Sequence, residues 1–172
     1  IIGEVRGEEV QVLVQAAASG HGGLTTFHAD NVESMILRLT SPPLNVKQSF
    51  LSLIWSIAVM RKLRIATTGR IVRRLTDIYE ILVRGDRVEK VKIFSWDPKT
   101  DTHKPDDVDT VLERSYRLKL IAERYGLSES DIRRELRERQ VFLERLVEDE
   151  VFDYEVVSER LFKFYYQRRG IV

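Results

Sequence analysis

The sequence predicts an α/β chain that ends in a small helical bundle, and three observations carry that reading. β-branched apolar segments alternate with helical ones from Ile1 to Leu39. Two β-rich runs, Val72 to Val83 and Val88 to Trp96, flank Arg84-Gly85-Asp86-Arg87, a hairpin signal. From Val108 onward the apolar residues recur at the 3.6-residue period of amphipathic helices.

Taken in order, Ile1-Ile2 reads as the end of a strand and Glu8 to Ala18 as a helix rich in Val, Leu and Ala. Ser19-Gly20-His21-Gly22-Gly23 stops that helix, because glycine takes the positive φ that a helix end requires. Leu24-Thr25-Thr26-Phe27-His28 has strand composition. Asp30 or Asn31 then caps a helix from Val32 to Leu39, ended by Pro42-Pro43. This order predicts part of a parallel sheet with buried strands. Leu51 to Val59 reads as a helix end followed by another buried strand, and Asp97-Pro98 with Lys99 to Asp107 as a linker or domain edge. Three helices follow: Val108 to Tyr125, stopped by Gly126; a second opened by a loose capping box, Ser128 to Asp131; and a third from Tyr154 to Gln167. So small a bundle is marginal alone, which predicts that residues 106–172 pack on 1–105.

Composition narrows the chemistry. With 172 residues and 43% hydrophobic content the chain can bury a core. The absence of Cys excludes disulfides, thiolate zinc sites and cysteine nucleophiles, and three His are too few for most all-histidine metal cages. No run reaches the ~18 to 20 apolar residues of a bilayer-spanning helix. The net charge of +1 conceals a strong division. Residues 1–60 hold 3 basic and 5 acidic side chains, 61–92 hold 10 and 4, and 106–172 hold 13 and 16. The chain opens Ile1-Ile2-Gly3-Glu4, without Met and in the middle of an apolar run, so the expectation is a fragment or a trimmed chain.

Two stretches carry candidate chemistry. Gly3-Glu4-Val5-Arg6-Gly7 follows an apolar strand end, where a carboxylate in a phosphoryl-transfer fold reaches the crevice that holds magnesium and the attacking water. A Glu in that position also serves as an ordinary turn cap or ion-pair partner, and the residues alone leave both readings open. Ser19 to Asn31 brings His28 to the end of the next strand, where an imidazole reaches a phosphate oxygen or holds a structural hydrogen bond; His21 sits in the turn before it.

These blocks, in this order, resemble the secretion-type ATPases, the motors of type II and type IV secretion, type IV pili and the archaeal flagellum. Gly3-Glu4-Val5-Arg6 is similar to their Walker B region, and Ser19-Gly20-His21 followed by Thr26-Phe27-His28-Ala29-Asp30 to their His box. Ser41-Pro42-Pro43-Leu44-Asn45-Val46, the Arg-rich strand before Glu80-Ile81, Gly126-Leu127-Ser128 and Arg137-Glu138-Arg139 look most like the archaeal branch. The resemblance implies that 1–105 is the C-terminal part of a RecA-like P-loop ATPase domain followed by a three-helix bundle. It implies a cytoplasmic homo-hexamer, peripheral to the membrane, docked on a polytopic platform protein and driving pilin-like or secreted substrates with ATP and Mg2+. By position, Glu4 would polarise the hydrolytic water and support magnesium indirectly. Arg6 would brace the strand end, His28 would sit near the γ-phosphate, and His21 would play a supporting part. The sequence departs from the family in holding no Gly-x-x-x-x-Gly-Lys-Ser/Thr, so the chain alone is expected to be inactive and to bind no cofactor.

The basic zone admits other readings. Arg61, Lys62, Arg64, Arg70, Arg73 and Arg74 fall within fourteen positions. Such a stripe serves phosphate contacts in a DNA-translocating RecA-like motor, a charge-protected strand edge, or a subunit interface. A further alternative is a non-enzymatic module that binds ATPase subunits or a membrane platform.

Overall fold

A computed structural model describes residues 1–5, 7, 9–65 and 69–168. They form two compact units, Ile1–Asp107 and the residues from Val108 onward.

In the first unit, α1 spans Glu9–Ala18 and turns Val10 into the core. The chain leaves α1 through Gly20 at φ +87°, with the His21 N–H bonded to the Ala16 carbonyl at 3.0 Å. The helix α2, Val32–Thr40, starts where the sequence places it: the Asn31 side chain accepts from the Ser34 N–H at 2.8 Å. Val32, Met35 and Leu39 lie on one face of α2 and are buried. A 3₁₀ turn, Gln48–Leu53, seats Leu51 in the same core.

Four strands follow, β1 (Ser56–Arg64), β2 (Ile71–Arg84), β3 (Arg87–Asp97) and β4 (Thr102–Lys104), hydrogen-bonded in chain order. The β2–β3 hairpin turns at Gly85-Asp86, with Gly85 at φ +59° supplying the conformation a two-residue loop needs. Ile81, fully buried, joins Val5, Val10, Leu51 and the buried face of α2 in one core.

The α/β class holds; the parallel pairing expected of the first segments is confined to them, and the sheet that follows is antiparallel throughout. Parallel pairing among the described residues is one bridge, Ile2 with Thr25, while every ladder of the sheet is antiparallel. Two short segments give a parallel pair too little ladder to extend, whereas the long β1 and β2 meet through a connection short enough only for antiparallel pairing. β1 is an edge strand with alternating exposure rather than a buried one. The Lys99 to Asp107 stretch contains β4 and is fastened to the sheet. Asp101 accepts two bonds from Arg74, both 2.7 Å, and one from Trp96 Nε1 at 2.8 Å.

In the second unit the single helix expected over Val108 to Tyr125 is two, α3 (Val108–Arg114) and α4 (Tyr116–Tyr125). Ser115 divides them: extended in backbone and 1% exposed, it accepts from the Leu118 N–H at 3.0 Å and caps α4. α5 (Glu129–Glu148) opens on a full capping box between Ser128 and Asp131, and α6 (Tyr154–Gln167) is capped by Asp153. The described residues of this unit therefore hold four helices where three were expected. Phe142 of α5 stacks on Phe164 of α6 at 4.4 Å, and Arg133 of α5 reaches Asp109 of α3 at 2.5 Å. Glu135 meets Arg139 and Arg168; burial raises its pKa, and the hydrogen bonds from the two guanidiniums outweigh this and hold it below the ordinary glutamate value.

Candidate functional site

The one parallel bridge has a consequence for the two candidate chemical residues. Around it the Ile2 N–H bonds to Leu24 O at 3.0 Å, the Val5 N–H to Thr26 O at 3.3 Å, and the Thr26 hydroxyl to Gly3 O at 2.5 Å. This short ladder carries Glu4 and His28 out of the same end of the paired segments. Nε2 of His28 lies 3.3 Å from Oε1 of Glu4. The histidine side chain is 81% exposed and that of Glu4 28%, so the pair stands at a mouth open to solvent. A contact this exposed adds little to stability. Its interest is geometric: a carboxylate oriented by an imidazole can hold a water by hydrogen bonds and accept its proton.

The mouth opens into a cleft of about 690 Å³, walled by Phe27, Leu37, Arg38 and the Ser41-Pro42-Pro43-Leu44 segment. A smaller cleft of about 270 Å³ shares His28 and Arg38 and adds Asp30 and Ser34. Arg38 is the residue that sequence reasoning missed. Projecting from α2, it donates from Nη1 to the carbonyl of His28 and lies 5.0 Å above the Phe27 ring. Nothing in its spacing marks it out, since a lone Arg on an amphipathic helix reads as solvent-facing.

The other candidates scatter. Arg6 lies outside the described residues. His21 is exposed at the end of α1 and lines neither cleft. The basic zone is sorted by strand register, in which Arg61 opposes Arg74, Lys62 opposes Arg73, and Arg64 opposes Ile71. Opposed residues share a face and successive ones alternate, so the cations divide between two faces. On one, Arg61 donates to the Asp30 carbonyl at 3.2 Å, and Arg74 grips Asp101. The hydrogen bond from Arg74 pushes the Asp101 carboxyl well below the ordinary aspartate value, and Trp96 adds to the shift. On the other face, Lys62, Arg64 and Arg73 are exposed. Arg70 is exposed just before β2.

The fit of these residues to a nucleotide is partial. Glu4 and His28 furnish a water-orienting pair beside a cleft. A triphosphate also needs a backbone cradle, a lysine and a magnesium-binding hydroxyl, and the 172 residues contain no Gly-x-x-x-x-Gly-Lys-Ser/Thr. Among the described residues no group of three or more His, Asp or Glu side chains is placed to hold a metal ion.

The frame that carries this site is an α/β unit followed by helices, and comparison with known proteins gives its family. Residues 1–118 match the family described as type II/IV secretion system protein, and the chain belongs to that family. Among its relatives are three proteins of Methanocaldococcus jannaschii. Uncharacterized protein MJ1287 is 37% identical over 149 residues, covering 85% of this chain and 52% of the relative. Uncharacterized protein MJ0900 is 36% identical over 170 residues, covering 96% of this chain and 30% of the relative. The third, uncharacterized protein MJ0781, is 25% identical over 142 residues, covering 81% of this chain and 19% of the relative. The chain thus spans about half the length of one curated relative and less than a third of the others. Among the described residues no helix is long and apolar enough to cross a membrane.

Proposed function

We propose that this chain supplies the water-activating half of a secretion-motor ATPase, with residues 1–105 serving as the C-terminal part of its RecA-like domain. The observation that carries the reading is the 3.3 Å approach of His28 to Glu4 at the mouth of the cleft, in a chain of the type II/IV secretion family. The Glu4 carboxylate accepts hydrogen bonds from water and orients it. The His28 imidazole holds that carboxylate on one side and reaches a phosphate oxygen on the other, while Arg38 fixes the His28 backbone. ATP, when held by a phosphate cradle elsewhere in the intact protein, supplies the bond to be hydrolysed, with Mg2+ neutralising its charge.

In this reading the intact protein is a homo-hexameric ring in the cytoplasm, peripheral to the membrane and docked on a polytopic platform. It drives pilin-like or secreted substrates, of which archaellum or pilus subunits are examples. The DNA-translocating alternative is weakened by strand register, which gives Arg61 and Arg74 structural partners and leaves only part of the basic zone facing outward.

The 172-residue chain, purified alone, is expected to show no ATP hydrolysis above background and no saturable nucleotide binding by titration calorimetry. Hydrolysis that disappears with Glu4→Gln would show instead that the chain completes a site without a phosphate loop.

A further inference from the structure

We propose that the exposed face of the β1–β2 arm is a docking surface for a second copy of this chain, which it meets at the acidic corner between α5 and α6. The sheet register defines the arm. β3 pairs with β2 only from Asp77 onward, so Met60–Arg64 and Ile71–Leu75 extend beyond the third strand as a two-stranded ribbon. Its outward face carries Lys62, Arg64 and Arg73 between Met60, 65% exposed, and Ile71, 58% exposed. The sequence has no acidic residue from Ser56 to Thr76, and no ion pair among the described residues engages these three cations. A surface that mixes uncompensated cations with exposed aliphatic groups is suited to a protein partner carrying both anions and apolar groups.

The chain itself presents such a surface. At the end of α5 and the start of α6, Glu148, Glu150 and Glu155 are exposed and have no ion-pair partner among the described residues. Beside them Val147, Phe152 and Tyr154 are 62%, 71% and 82% exposed. Three cations with two aliphatic groups on one patch match three carboxylates with three apolar groups on the other. A contact between two different patches is head-to-tail, the kind that generates rings when its rotation closes. The proposal therefore deepens the ring part of the reading above and is independent of the Glu4–His28 chemistry.

Sedimentation velocity of the 172-residue chain over a concentration series at low and high salt tests it. The wild type should self-associate, more weakly at high salt. Lys62→Glu/Arg64→Glu/Arg73→Glu and Glu148→Lys/Glu150→Lys/Glu155→Lys should each weaken association about ten-fold or more, and an equimolar mixture of the two should restore it. Met60→Ser/Ile71→Ser, which leaves every charge in place, should also weaken it, giving a second route should a charge reversal fail to fold. A wild type that stays monomeric to about 1 mM would overturn the proposal. Association indifferent to both patches, or a mixture that restores nothing, would overturn it while leaving a ring built through other surfaces intact. Binding of the arm to anionic phospholipid vesicles or duplex DNA, with self-association unchanged by the arm variants, would assign the face to another occupant.

Discussion

Glu4 and His28 are distant in sequence and adjacent in space because one bridge, Ile2 to Thr25, sets the register of the two segments that carry them. Both were legible as motif residues. Arg38, which ties the His28 carbonyl to α2, was not, because its function depends on a contact that spacing does not encode. The same holds for the basic zone, where composition reveals the cations but only strand register tells Arg74 from Arg73. Arg74 makes a specific prediction. Its hydrogen bonds depress the Asp101 pKa relative to the unfolded chain, so the contribution of Asp101 to stability is present above the ordinary aspartate value near 3.8 and is lost as pH falls below it. Thermal melts should show Asp101→Asn less stable than wild type at pH 7, with the gap narrowing steadily as pH falls below about 5. A gap independent of pH would deny Asp101 that role.

At the scale of elements, the sequence located helices best where a cap announced them. Asn31 before α2, Ser128 before α5 and the Gly85-Asp86 turn are local chemistry, and local chemistry is written in consecutive residues. Ser115 was overlooked because the apolar period runs on across it from Val111 to Tyr116. Its hydroxyl takes the Leu118 N–H and breaks the run into α3 and α4. Ser115→Ala should cost about 1 kcal/mol, read as a lower denaturation midpoint with an unchanged m-value. Unaltered stability would mean that the helix break survives without its cap. The extent of strand pairing was the harder inference, since pairing partners are set by tertiary contact rather than by composition. β-branched content marked Leu24 to His28 as strand-like, but the segment finds a single bridge there.

For the whole molecule, the segmental charge proved more informative than the total. A net charge of +1 contains a basic sheet region and an acidic helical region, and among the described residues each leaves exposed charges that form no ion pair. Residues 1–118 belong to the type II/IV secretion family, and the chain covers about half of one relative, so the proposed chemistry is to be tested in the intact protein. The central claim is that Glu4 activates water there. Its most direct test is the intact protein carrying Glu4→Gln, with ATP turnover and nucleotide affinity measured side by side. The account predicts turnover lower by about 10² or more, because the amide cannot accept the water's proton, with affinity within a few-fold of wild type. Turnover equal to wild type at unchanged affinity would contradict it.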